Sequence, residues 1–363
     1  MKISGRYNTI KIYGNADFHT IAQAKYLCDI DSLKDETLIL MPDSCPGILA
    51  PIGLCATYSD KILPALVSGD IGCGVDTYLF KNKQIEFSKL DKIIKEQVLA
   101  HKKVESILES YQTKVSLEDL NCKKKIDIQR VMNSCGTLGS GNHFIEIEKD
   151  ENKNLYLTIH SGSRLLGTQV YEYYMDKGFE AIGDKTFNRV CTYLEGDLKD
   201  AYLHDIQIVQ AYARANRECM AYIIGKFLKN RVELFASSVH NYVDVENNII
   251  RKGAISAREN ETVVIPINSR DGVIIGHGLG NREWLNSAPH GAGRLYSRGE
   301  SKNYFTLHDY KKQMEGVYSI SVTETNISEC PGVYRDINTI ESEINGNTIE
   351  IENILTPVYN FKN

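Results

Sequence analysis

Five residues of types that bind metal ions stand at the tips of short apolar runs in this sequence. In "SGDIGCGVD", Asp70 and Cys73 lie three apart. Glycines at 69, 72 and 74 leave that backbone free to turn a carboxylate and a thiolate toward one point. "LGSGNHFIEI" carries His143 out of a glycine-rich turn into a run that also holds Glu146, and "LTIHSGSR" ends an apolar run on His160, with Arg164 four residues on. "SSVHNYVD" sets His240 beside Asn241. Rigid elements hold ligands most accurately at such positions. None is diagnostic singly: Asp-x-x-Cys is no metal motif, the glycines of 136–141 suit a plain hairpin turn, and a strand-end histidine is commonly structural. Together they make one Asp, one Cys and three His, each flanked by Gly, Ser or Asn.

This ligand set has consequences for the ion. Imidazole and carboxylate suit manganese, zinc, iron or nickel, and a thiolate draws toward softer ions. Five ligands exceed the three that one catalytic zinc takes, so two ions sharing the thiolate are the reading, a type of site suited to phosphoryl chemistry. A candidate nucleophile lies further on: "NSAPHGAGRLYSR" places His290 between Pro289 and a Gly-Ala-Gly-Arg run, an open turn unlike the setting of a core histidine. Such a histidine could attack phosphorus and carry a phosphoryl or nucleotidyl group. The competing phosphate motifs, G-x-x-x-x-G-K-[ST] and G-x-G-x-x-G opening a helix, are absent, so a nucleotide must be held by other means.

The elements that position these groups are short strands and a few helices. "TLILMP" (37–42), "DTYLF" (76–80), "LYLTIH" (155–160), "TVVIPI" (262–267) and "VYSISV" (317–322) read as mostly buried strands. Residues 17–30 have helical character, and so does the run from Tyr193 to Lys229, where Leu194, Leu198, Tyr202, Val209, Ala213 and Met220 recur at helical spacing. Strands and helices intersperse without regular βαβ alternation. The expected class is therefore mixed α/β (α+β), with sheets packed centrally and helices around them, neither a doubly wound sheet nor a barrel. With 363 residues, eight scattered prolines, no repeat and no linker, the expectation is one domain over 1–363. A net charge of −5 gives no global nucleic-acid signal, so a polyanion site must be a local basic patch. The N-terminus lacks the pattern of a secretory signal and no membrane span is expected, which points to the cytoplasm. Nine cysteines without a C-x-x-C pair argue against a disulfide framework and a zinc ribbon. Cys28, Cys55, Cys122, Cys191 and Cys219 sit among apolar residues and read as core.

Taken in order, the motifs resemble the RtcB family of RNA ligases. The matching residues are "MPD" (41–43), "DIGCGV" (70–75), "LGSGNHFIEI" (138–147), "HSGSR" (160–164), "ANR" (215–217), "HN" (240–241), "RKGA" (251–254), "HGAGR" (290–294) and a lysine next to the last residue. The resemblance runs over nearly the whole chain. It implies an RtcB-like catalytic domain and a GTP-dependent, two-manganese ligase that joins an RNA 3′-phosphate or 2′,3′-cyclic phosphate to a 5′-hydroxyl. It also implies roles. Asp70, Cys73, His143, His160 and His240 would bind the ions, with Cys73 between them, and His290 would become guanylylated. Asn142, Glu146, Asn241, the loop Pro266, Ile267, Asn268 and Ser269, the turn Gly291, Ala292 and Gly293, and Lys362 would hold the guanylate. Arg164 and Lys252 resemble the family's phosphate-contacting bases, and Arg294 would offset negative charge.

Some stretches depart from the family pattern. After "MPD" the family commonly has His and Gly-Lys-Gly, where this chain has "SCPGILAPIG" with Cys45 and Leu49. Its "PINSRDG" (266–272) stands where many members have Pro-Gly-Ser-Met-Gly, and Val273 replaces a nucleotide-contacting serine. This wording resembles a second branch of the family, found beside a release-factor-like partner and associated with RNA repair. The differences fall on the RNA-facing side and on guanine recognition. His19, His101, His204, His277 and His308 read as surface or structural, and the basic clusters 122–127 and 309–313 as solvated faces. "RLYSRGESK" (294–302) is better placed to follow an RNA backbone. Two other readings stand beside the ligase: a dinuclear-metal phosphoesterase acting on RNA ends, and a non-catalytic RNA-binding relative.

Overall fold

Four of the five expected strands form where the apolar alternation places them, within β3 (Leu38–Cys45), β5 (Cys73–Phe80), β7 (Leu155–Ser161) and β11 (Thr262–Asn268). The computed structural model describes residues 1–99 and 115–363. Its other strands are β1 (Lys2–Ser4), β2 (Thr9–Ile12), β4 (Ile52–Thr57), β6 (Phe144–Lys149), β8 (Val232–Asp244), β9 (Ile249–Lys252), β10 (Ala254–Ser256), β12 (Gly272–Gly278), β13 (Ser287–Pro289) and β14 (Ile349–Lys362). Twelve join one sheet in the order β1-β2-β3-β4-β9-β8-β5-β7-β6-β14-β12-β11, while β10 and β13 pair separately. The class is mixed α+β, with this sheet at the centre. Among the described residues, only the β2–β3 pairing of this sheet is parallel. The first half of β14 pairs with β12 and its second half with β6, so this one strand joins the β11–β12 hairpin to the rest of the sheet.

The fifth expected strand, 317–322, is corrected. It makes a single bridge, Tyr318 to Tyr359, and is otherwise irregular. Its serines are the reason. Ser321 Oγ donates to the Lys362 carbonyl and accepts the Lys362 N–H, at 2.7 and 2.8 Å, and Ser319 Oγ accepts the Ser321 N–H at 3.1 Å. Hydroxyls thus replace the ladder that a strand would have built on β14.

Both expected helices form, over Phe18–Cys28, capped by Asp17, and over Gly196–Leu228. Tyr202, Val209, Ala213 and Met220 are buried on the long helix as the spacing requires. All nine cysteines are free, and the five read as core are buried. The long helix also braces the loops that carry the metal-capable residues. Arg217 is fully buried and donates from Nη1 to the carbonyls of Gly72 and Ser161, at 2.9 and 3.0 Å. Its Nε lies 2.9 Å from Asp76 Oδ2. Asn216 accepts the Thr137 N–H at 3.0 Å and donates to the Thr137 and Gly162 carbonyls, at 3.2 and 3.1 Å. Two adjacent residues therefore clamp three loops. Removing one partner of a buried ion pair leaves an uncompensated charge. Arg217→Met is expected to cost about 3–5 kcal/mol, read as a lowered midpoint in urea at unchanged slope.

Candidate functional site

Strand register brings the five metal-capable residues to one end of the central strands. Gly74 and Val75 of β5 lie opposite Ser161 and His160 of β7, Cys73 opposite Asn241 of β8, and Phe144 of β6 opposite His160. Cys73 Sγ consequently lies 3.5 Å from His143 Nε2 and 3.3 Å from His160 Nε2, and His160 Nε2 lies 3.3 Å from His240 Nε2. Two sets converge, Asp70–Cys73–His143 and Cys73–His160–His240, with the thiol common to both. Such a donor set fits two cations sharing one thiolate. The imidazoles are oriented for the task. His143 Nδ1 donates to the Leu138 carbonyl at 2.7 Å and His160 Nδ1 to the Asn142 carbonyl at 3.2 Å, which leaves each Nε2 lone pair turned to the cluster.

Burial pushes the His143 imidazole down to about 4, and those of His160 and His240 well below their usual range, so all three are neutral donors. The Cys73 thiol is driven the other way, well above its usual value, by burial and then by the charge of Asp70. A cation at the cluster would supply the positive charge that releases this proton.

His290 follows β13 and stands beside this cluster, its ring centroid 5.1 Å from that of His240. Behind it lies Asp43, fully buried at the end of "MPD", whose Oδ2 accepts the His290 N–H at 3.2 Å and lies 2.7 Å from His290 Nδ1. The latter contact is close but not aligned as a hydrogen bond, and Asp43 Oδ1 has no partner. A carboxylate there favours the proton on Nδ1 and leaves Nε2 as the free nitrogen. Gly253, at φ 64°, makes room for the ring: a Cβ at this position would come within 2.2 Å of Ile52 and 3.3 Å of His290 Cε1.

In front of His290 opens a pocket. Asn142, Glu146, Lys362 and residues 266–269 and 291–293 line it. Glu146 is buried, accepts from Asn360 Nδ2 at 2.7 Å, and has its carboxyl pushed up to about 7 by burial. Arg294 and Arg298 also reach the wall. Arg294 already donates to the Ser328 carbonyl at 2.6 Å and to the Tyr334 hydroxyl at 3.2 Å, so much of its donor capacity is spent inside the protein.

Asn241, which the resemblance places on the guanylate, and Arg164 and Lys252, which it places on phosphates, do not line this pocket. Asn241 donates from Nδ2 to the Val67 and Asp70 carbonyls, at 2.9 and 2.8 Å, bracing the Asp70 loop rather than lining the pocket. Lys252 donates to Ser68 Oγ at 2.9 Å, and burial, opposed by Asp70, pushes its ammonium down to about 8. Arg164 lines a second cavity with Arg130, its guanidinium packed over Gly139, where a Cβ would come within 2.0 Å.

His19 and His308 are exposed, His204 contacts Asp205 at 3.2 Å, and His277 meets Glu352 at 3.1 Å. His101 lies outside the described residues. The lysines of 122–127 and 309–313 are solvated. Sequence reasoning assigned no role to Asp43, Glu329, Tyr334 or Phe144, all at the site. For Asp43 a signal existed, an acidic residue closing the apolar run "LILMP", but nothing in the sequence linked it to His290. Among the described residues no helix is long and apolar enough to cross a membrane.

Residues 92–363 match the family model described as tRNA-splicing ligase RtcB. The RNA-splicing ligase RtcB of Escherichia coli K12 is 30% identical over 346 residues, 84% of this chain and 84% of the relative. RNA-splicing ligase RtcB1 of another Escherichia coli strain is 33% identical over 227 residues, 56% of this chain and just over half (55%) of that relative's length. The tRNA-splicing ligase RtcB of Nanoarchaeum equitans is 24% identical, covering 88% of this chain and 86% of the relative.

Proposed function

The chain belongs to the RtcB family, and from that premise we propose that it is an RNA ligase, using GTP and manganese to join an RNA 3′-phosphate to a 5′-hydroxyl through a guanylylated His290. The observation that carries this reading is the placement of His290, with a buried carboxylate 2.7 Å behind Nδ1 and a ring contact to the metal-capable cluster in front. We take residues 1–363 as one catalytic unit working in the cytoplasm.

Asp70, Cys73 and His143 would hold one ion, and Cys73, His160 and His240 the other. When bound, the ions supply Lewis-acid neutralisation of phosphate charge. The chain's own groups do the rest. Asp43 keeps the His290 proton at Nδ1, so that the Nε2 lone pair faces the pocket. Guanine presents two N–H donors beside one carbonyl acceptor, which fits the Glu146 carboxylate next to the Lys362 ammonium and misfits adenine. Nε2 forms a bond to the α-phosphorus as the bond to the bridging oxygen breaks, and pyrophosphate leaves with that electron pair. An oxygen of the RNA 3′-phosphate then displaces the imidazole, giving RNA-(3′)pp(5′)G. The 5′-hydroxyl attacks the RNA phosphorus, loses its proton and expels GMP. A cyclic end must first be hydrolysed to the 3′-phosphate. Small residues at 291–293 let the nucleotide lie against the backbone. Arg164 and Lys252, outside the nucleotide pocket, are proposed to meet RNA phosphates.

The test uses two defined RNAs, one ending in 3′-phosphate and one beginning with 5′-hydroxyl, incubated with the chain, manganese and GTP. A joined product that requires GTP is expected. Hydrolysis of cyclic ends without any nucleotide, and no joining, would instead establish the phosphoesterase reading.

A further inference from the structure

Glu329 closes the short turn Glu324–Glu329 and lies on the pocket wall. Its side chain is only 5% exposed, yet it meets three cations and a phenol. One carboxylate oxygen pairs with Lys362 Nζ and accepts the Tyr334 hydroxyl at 2.7 Å. The other lies 3.3 Å from Arg298 Nε and 3.6 Å from Arg294 Nη1. Burial alone would raise this carboxyl, but Lys362 and its other partners hold it below its usual range.

Lys362 needs that partner. Its side chain is 10% exposed, and a buried ammonium is costly unless paired. Its backbone is fixed by Ser321, but four rotatable bonds separate that anchor from the charge, so the carboxylate determines where Nζ points. Glu146 is the other acid near it, and Glu146 is already engaged by Asn360. Guanine and adenine differ in which atoms of this edge donate and accept. Selection between them therefore depends on the ammonium staying at one place beside the Glu146 carboxylate.

We infer that Glu329 is the positioning residue for nucleobase selection: it holds the Lys362 ammonium where that group meets O6 of a 6-oxopurine nucleotide. The inference rests on the nucleotide reading of the pocket. The test measures KM and kcat for adduct formation on His290 with GTP, with 6-thio-GTP, in which sulfur replaces O6, and with ITP, which lacks the 2-amino group. The unaltered chain is expected to favour GTP over 6-thio-GTP by roughly tenfold, the worth of a hydrogen bond to a charged group. Glu329→Gln keeps the shape and the acceptor for Tyr334 but removes the charge. It is expected to bring that ratio close to one, chiefly through KM, and to leave the GTP-over-ITP ratio intact.

Both ratios unchanged, or both collapsed, would overturn the inference. Because Glu329 acts through Lys362, Glu329→Gln combined with Lys362→Met should be no worse than Lys362→Met alone, and fully additive losses would also overturn it. If Glu329→Gln folds poorly, Lys362→Met with Glu329 left in place keeps the test decisive: it should lose the preference for GTP over 6-thio-GTP, and a preference retained would overturn the inference. An adduct that forms with unaltered ratios defeats this inference alone. No adduct with the unaltered chain defeats the nucleotide reading as well.

Discussion

His290→Ala is expected to abolish the covalent GMP adduct and to lower RNA joining by at least about 10³-fold, through loss of the proposed nucleophile, which no neighbour can replace. The neighbours are unsuited by geometry. His240 and His160 face each other and Cys73 through their Nε2 atoms, so neither presents a free nitrogen to the pocket once the cluster is loaded. The measurement is transfer of label from α-³²P-GTP to protein in the presence of manganese, and an adduct of unchanged yield in the variant would sink the assignment. The role of Asp43 sharpens the test. Asp43→Asn keeps the size of the side chain but removes the charge behind Nδ1, so the imidazole loses both its preferred tautomer and the stabilisation of the cation formed on attack. A loss of roughly 10²–10⁴-fold in the adduct-forming rate, with nucleotide affinity little changed, is expected.

Cys73→Ala removes a donor from both ligand sets, whereas His143→Ala or His240→Ala removes one from a single set. Metal content after dialysis against manganese should therefore fall from two ions per chain to fewer than one in the cysteine variant, and to about one in either histidine variant. Adduct formation in Cys73→Ala should fall by about 10³-fold or more, since charge on the transferring phosphate is no longer neutralised. The pH dependence has a definite sign. The free thiol is protonated, its ionisation pushed well up by burial and by Asp70, while the three imidazoles are already neutral. Manganese uptake must displace the thiol proton, so it should release about one proton and tighten as pH rises. Histidine protonation should weaken uptake only in acid, for His143 near pH 4. Two ions retained by Cys73→Ala, read by elemental analysis, would contradict the shared-thiol reading.

Much of this site is legible in the amino-acid sequence because its signals are local. A glycine-flanked Asp-x-x-Cys and three histidines closing apolar runs are readable from residue type and period, and so are the two helices and four of the strands. The segment 317–322 misleads because its alternation is genuine, but its serines hydrogen-bond the backbone of β14 instead of leaving a ladder free. Which groups could bind metal and attack phosphorus is readable from side-chain type, since the chemistry belongs to the side chain. Which of them meet depends on the fold. Asp43 and His290 are 247 residues apart, and Lys362 and Glu329 33 apart. Asn241 and Arg164 share motifs with the pocket residues His240 and His160 but do not line the pocket, and neither does Lys252. Side-chain direction flips with each residue along a strand, and partners are set by register between strands distant in sequence. Neither can be read from one segment alone, which is why a buried carboxylate behind a nucleophile and another behind a lysine emerge only with the fold.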